Sequence, residues 1–275
     1  MKTDERVVDI EHALDLAEEA LDRGEAEVAL EYCQRVLDVA GEHAGALFVA
    51  GEAHRDLREL PEAEELYRRA VRAAPQHSPN WSALGASLFD QVRFEEARSA
   101  FSRAIRLDPF NPESYYWRGM LRERHENFAG ARRDFRRANR LDPEAYPMPL
   151  HLDDATVEAV VEEAVRAMHP SIREYLKQVA ILLEEVPEEE VLHQFDPPAA
   201  PGEILGYFSG ISMRDRSMDN PWSNLPSAIV LFRRNLERIA GDRERLIDEL
   251  RITVLHEVGH FLGLDEDDLE ERGLD

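Results

Sequence analysis

A 34-residue period governs the first half of this chain and leaves few folds open to it. Ala29, Ala63, Ala97 and Ala131 stand one period apart. So do Cys33, Tyr67, Phe101 and Phe135, and so do Val36, Ala70, Ala104 and Ala138. Gly41, Pro75, Pro109 and Pro143 close the units, and Gly51, Gly85 and Gly119 recur in the first helix of units two to four. A unit this short cannot bury its apolar face alone, so stacked copies must share one elongated core. Each unit reads as two amphipathic helices. In unit three they span Pro79–Gln91 and Phe94–Leu107; Gly85 and Ala97 let them approach closely, and Phe101 fills the gap. Pro109 stops the second helix, because proline cannot continue one.

Unit three carries Trp81, Leu84, Gly85, Ala97, Phe101, Ala104 and Pro109; unit four carries Tyr115, Gly119, Ala131, Phe135, Ala138 and Pro143. On these residues the array, over about residues 8–144, resembles the tetratricopeptide repeat family. Unit one is degenerate, as expected of a capping repeat. The resemblance implies an all-α solenoid whose first helices line a concave groove for a protein or peptide partner. By helical position that groove would present Phe48, Glu52, Arg55, Phe89, Tyr116, Met120, Glu123 and Arg124. It lacks the Lys/Asn set with which some such arrays hold an acidic C-terminus.

Charge narrows the partners. The chain has 57 acidic and 33 basic residues, a net charge of −24. That balance argues against nucleic acid or an anionic membrane as partner, since both need a basic face. Residues 1–145 carry −8 and residues 146–275 carry −16. The shift coincides with Pro143, Pro147 and Pro149, which make a stiff connector. The expected organisation is a repeat array over 1–145, a Pro-rich linker over 146–152 and a second domain over 153–275. Cys33 is the only cysteine, so no disulfide forms within the chain, and Met1–Ile10 has no apolar stretch typical of a leader. No apolar run approaches the roughly 20 residues of a membrane span. The expected location is cytoplasmic.

The second half mixes helices and strands. A helix is expected from Asp153 or Asp154 to about Met168, and a short one from Pro170. Strands are expected at Val179–Leu183, Glu203–Ser209 and Ala228–Phe232. Met213–Pro226 reads as a polar loop. A long helix runs from about Asp242 to Leu262 and stops at Gly263. This is an α+β domain with a small sheet.

That long helix contains His256, Glu257 and His260. Four residues advance a helix by about 400°, so both imidazoles leave the same face one turn apart. Two neutral imidazoles so placed suit a borderline cation such as Zn²⁺, one per chain. Glu257 lies beside that position, where its carboxylate can take a proton from water and pass it to a leaving amine. Gly263 allows the chain to turn back toward the metal; residues 256–266 resemble the metzincin-type pattern H-E-x-x-H-x-x-G-x-x-H, and that resemblance puts the third ligand at Glu266, a carboxylate in place of His, with Asp265, Asp267 and Asp268 competing for the role. Tyr207 would polarise a carbonyl if it faced the metal.

With that motif in place, residues 152–275 resemble the zincin-like metallopeptidases of the minimal, metzincin-like kind. The likeness runs through Val179–Val186, Gly206–Ile211, Leu225–Arg233 and Leu255–Asp268. No methionine follows Gly263, so the Met-turn of larger metzincins is missing. The resemblance implies a metal site and peptide-bond hydrolysis, with the repeats recruiting substrate or an adaptor. The competing reading is an interaction scaffold whose zincin-like module binds metal without turnover. A substrate peptide is expected to pair along Ala228–Phe232, the strand just before the metal helix, if that strand is an edge; the alternative is an interior strand paired on both sides.

Overall fold

A computed structural model describes residues 2–151, 153–177, 179–195, 198–212, 227–239 and 241–270; the side chains of 2–9, 175, 266 and 270 lie outside the described set. The expected loop Met213–Pro226 also lies outside it. The chain forms two compact units, Met1–Tyr146 and Pro147–Asp275.

The first unit is eight helices in hairpin pairs: α1 (Lys2–Asp22), α2 (Ala26–Ala40), α3 (Ala44–Asp56), α4 (Leu60–Ala73), α5 (Ser78–Asp90), α6 (Phe94–Leu107), α7 (Pro112–Arg124) and α8 (Phe128–Leu141). The periodic columns are its core. Ala29, Ala63, Ala97 and Ala131 are buried, as are Cys33, Tyr67, Phe101 and Phe135. A Cβ on Gly51 would come within 2.6 Å of the Tyr67 ring, one on Gly85 within 2.5 Å of Phe101, and one on Gly119 within 2.6 Å of Phe135. The glycine column therefore exists to seat the aromatic column.

The first helix of each pair ends in one closure. Glu59 N–H donates to His54 O, Arg93 N–H to Leu88 O, and Asn127 N–H to Arg122 O, each at 2.8 Å. The residue before each donor is left-handed: Arg58 at φ 61°, Val92 at 62° and Glu126 at 54°, with Gly24 at 73° in the first unit. This is the Schellman geometry, ordinarily a glycine position. Ser78 Oγ donates to Ala104 O within the α5–α6 pair, and polar bonds then tie this pair to the next: Asn111 Nδ2 donates to Ser78 Oγ, and Ser114 Oγ to Ser82 Oγ.

The second unit contains α9 (Asp154–Ala167), α10 (Pro170–Leu176), β1 (Val179–Glu184), α11 (Glu189–Leu192), β2 (Gly206–Ser209), β3 (Ser227–Phe232), α12 (Arg233–Ile239), α13 (Arg243–Leu262) and α14 (Glu266–Glu270). The described strands form one sheet in the order β1-β3-β2, parallel on the β1 side and antiparallel on the β2 side. Ile181 pairs with Ile229, and Phe208 with the same residue from the other side. Here the sequence expectation is corrected: β3 is the central strand. Its backbone groups are taken by both neighbours, so it offers no edge. The run Ala228–Phe232 is apolar because it is covered on both faces, and apolarity alone does not reveal position in the sheet.

One face of the sheet packs on α9 and α13. Leu246, Leu250, Val254, Val258 and Phe261 line the buried side of α13, against Val157, Val160, Ile229 and Leu231. Asp242 starts α13 by accepting a hydrogen bond from Arg245 N–H at 2.9 Å. The core stripe leaves another side of the helix for the polar residues of the site.

Candidate metal centre and repeat groove

His256 and His260 lie half-buried on α13. Their rings meet edge-on, with centroids 4.7 Å apart, and their Nε2 atoms are 3.0 Å apart. Two imidazole nitrogens on one tetrahedral zinc, each about 2.0–2.1 Å from it, stand roughly 3.3 Å from each other. The pair already has nearly that spacing. The Nδ1 of His260 lies 3.2 Å from Leu264 O. A carbonyl accepts from N–H, so this contact places the proton on Nδ1 and turns the Nε2 lone pair toward His256. These features fit a zinc-type cation.

Glu257 is the next residue and is only 5% exposed. A carboxylate kept from water on the same turn as a metal-binding imidazole is suited to moving a proton. Its neighbour Val258 belongs to the core stripe, which fixes the rotation of this turn.

Gly263 ends α13 in the left-handed conformation, φ 92° and ψ 25°. Its N–H donates to His260 O, and Leu264 N–H donates to Gly259 O, both at 3.0 Å. The chain then reverses into α14. Asp265 caps α14 by accepting from Asp268 N–H at 3.0 Å, so its carboxylate serves the turn. The backbone of Glu266 opens α14; its side chain lies outside the described residues. Among the described residues no group of three or more His, Cys, Asp or Glu side chains gathers around one point. The structure thus brings the His256 and His260 imidazoles together, with Glu257 following His256 on α13. The Leu264 carbonyl was missed in the sequence, although its place four residues after His260 and just past a glycine was a readable signal.

Tyr207 does not face this helix. It stacks on Phe232, with centroids 5.9 Å apart, on the sheet face opposite α13. Its neighbour Phe208 packs instead on Phe261 of α13, at 5.7 Å. Burial, with Glu184 and Glu188 nearby, raises the Tyr207 phenol above its ordinary value.

The groove residues divide into two groups. Phe89 and Met120 are buried, at 1% and 6% exposure, and so do not line an open surface. Phe89 packs edge-on against Phe94 and tilted against Trp117. The helical positions of Phe89 and Met120 lie on the inner side, where surface and the seam between repeats share one face of a single helix. Phe48 lies near Tyr67, with ring centroids 6.3 Å apart, and Tyr116 contacts the Phe135 and Tyr146 rings. Arg124 sits 4.0 Å over the Phe94 ring. Glu123 is buried. Tyr67 Oη donates to Glu52 at 2.6 Å. Arg55 Nε donates to Asp90 at 3.1 Å, and its guanidinium lies 5.4 Å from the Trp117 ring centroid. Burial would lower the Arg55 pKa, but Asp90 and Glu52 more than offset it and the guanidinium is held above its ordinary value. Burial raises Glu52 against the pull of Arg55 and Tyr67. Asp90 and Trp117, which join α3 to α5 and α7, were not among the expected groove residues.

Residues 14–78 and 82–146 match the tetratricopeptide repeat model, and residues 176–274 match the model described as zincin-like metallopeptidase. The chain joins tetratricopeptide repeats to a zincin-like domain. Among solved structures, MamA is 20% identical over 50% of this chain and 80% of its own, with a TM-score of 0.43. The pilF protein of Pseudomonas aeruginosa is 21% identical over 58% and 68%, with a TM-score of 0.47. A thermophilic tetratricopeptide repeat protein of Thermus thermophilus is 17% identical over 62% and 91%, with a TM-score of 0.46. No curated protein matches the chain. Among the described residues of the repeats and the zincin-like domain, no helix is long and apolar enough to cross a membrane.

Proposed function

We propose that the zincin-like domain is a zinc-dependent peptidase and that the repeats bring it a protein substrate or adaptor. The observation that carries this reading is the convergence of the His256 and His260 Nε2 atoms at 3.0 Å beside the buried Glu257. His256 and His260 would hold the metal, with Glu266 as the third ligand. Zinc, when bound, supplies acidified water and a polarised carbonyl. Glu257 accepts the water's proton on its carboxylate and returns it to the departing amine nitrogen. The Leu264 carbonyl keeps His260 in the one tautomer that leaves Nε2 unprotonated. Because β3 is interior, an extended substrate backbone pairs along β2, the described edge strand that packs on α13 through Phe208 and Phe261.

The repeats supply selection. A backbone-paired substrate is held with little side-chain discrimination, so a second contact in the groove around Glu52, Arg55 and Tyr116 raises its local concentration.

Purified full-length chain should carry about one zinc equivalent and cleave members of a broad peptide library. Residues 150–275 alone should keep zinc and short-peptide cleavage but process a natural protein substrate less efficiently. Undiminished processing would reject recruitment by the repeats. Zinc without cleavage of any library peptide would leave the interaction scaffold as the function.

A further inference from the structure

Residues 94–141 reverse the charge of the chain. They hold eleven arginines against seven acidic residues, in a protein whose net charge is −24. Part of this excess converges on a cleft of ≈ 410 Å³ between α6, α7 and the start of α8. Arg98 and Ser102 come from α6, Arg118 and Arg122 from α7, His125 is its C-cap, and Asn127 is the N-cap of α8.

The described carboxylate contacts of this cleft hold its guanidiniums in place. The buried Asp134 accepts from Arg118 Nε and Nη2, both at 2.7 Å, and from Arg122 Nη1 at 2.7 Å. Glu95 pairs with Arg98 and lies 4.0 Å from His125 Nε2. Among the described contacts, Asp134 and Glu95 are the carboxylates that meet the three cleft guanidiniums and His125. Burial, then the like charges of Arg118 and Arg133, press the Arg122 pKa below its ordinary value despite Asp134. Asp134 fixes Arg118 and Arg122 in place, and a fork held by a buried partner is preorganised for a second anion. The fourteen-residue helix α8 also turns its positive end toward Asn127. The cleft presents cationic donors, a hydroxyl and a helix start, all suited to several acceptor oxygens on one centre.

We propose that this cleft is a binding site for a phosphoryl group, carried either by a small phosphate or by a phosphorylated side chain. The site lies wholly within the repeats and does not depend on the metal centre or on peptidase activity.

The test is titration of the full chain with inorganic phosphate at low ionic strength, followed by calorimetry and amide chemical shifts. One saturable site is expected, with shifts concentrated at Arg98, Ser102, His125 and Asn127. The paired substitution Arg98→Gln and His125→Gln removes two side chains that are more than half exposed. It should leave the melting temperature unchanged and weaken phosphate binding about tenfold or more. Phosphoserine peptides that bind more tightly than phosphate, with unphosphorylated counterparts inert, identify a modified chain as the ligand; equal affinities identify a small phosphate. Absence of saturable phosphate binding overturns the proposal, as does unchanged affinity in the double variant.

Discussion

Leu269 occupies the space that a side chain on Gly259 would need: a Cβ built there would run into Leu269 Cδ2. Leu269 is fully buried and belongs to α14, while Gly259 lies between Glu257 and His260 on α13. The central glycine of the motif therefore docks the returning chain against the metal helix. Gly259→Ala should force Leu269 away and destabilise the second unit by about 1–3 kcal/mol, the usual cost of overpacking. Chemical denaturation measures that loss. Zinc affinity should fall in parallel although both imidazoles remain, and retained affinity would show that α14 is irrelevant to the metal.

The same return of the chain governs the third ligand. Asp265 is engaged as the cap of α14, which leaves Glu266 the better candidate. Glu266→Ala should weaken zinc binding far more than Asp268→Ala, as read by competition with a chromogenic chelator. Equal affinity of Glu266→Ala and the parent would transfer the role to another acidic residue or to water.

Glu257 should separate holding metal from using it. Glu257→Gln keeps the size of the buried side chain but removes the proton acceptor. The variant should retain about one zinc equivalent and lose at least about 10²-fold in kcat, the scale of general-base removal. Loss of zinc in this variant would instead make Glu257 a ligand.

Much of this was legible in the sequence, for identifiable reasons. A column such as Cys33, Tyr67, Phe101 and Phe135 is repeated information, and four copies of one contact are hard to misread. The long helix was legible because Asp242 and Gly263 mark its ends and a core stripe runs between them. The place of β3 was not legible, because strand order depends on pairings between distant segments that alternation within one strand does not encode. Phe89 was misplaced for a related reason: it faces a neighbouring helix, and a single-helix projection contains no neighbour. The turn that follows Gly263 could be inferred from glycine itself, but the bond from His260 to Leu264 O depends on the conformation after that glycine.

Burial also sets the chemistry of the lone thiol. It pushes the Cys33 pKa up to about 12, with Glu18 adding to the effect. A thiol raised in the folded state favours folding below its unfolded pKa and withdraws that support as pH climbs toward the folded value. The repeats should therefore lose stability between about pH 9 and 12, by at most about 1.4 kcal/mol per pH unit from this group. Cys33→Ala should flatten that slope in denaturant titrations. Native protein should resist alkylation at pH 8 and react once unfolded; rapid native labelling would contradict the buried thiol.

The left-handed closures at Arg58, Val92 and Glu126 mean that the hairpin geometry overrules the residue it is given. A branched side chain at φ 62° is held against its own preference by roughly 1–2 kcal/mol. Val92→Gly tests this directly: relief of the strain should raise the melting temperature, and a lowered value would show that the valine's burial outweighs it. Each closure sits inside one hairpin of a quasi-one-dimensional stack, so the tension is local. Each bend carries its own load, so relieving one should leave the left-handed φ of the others as it was.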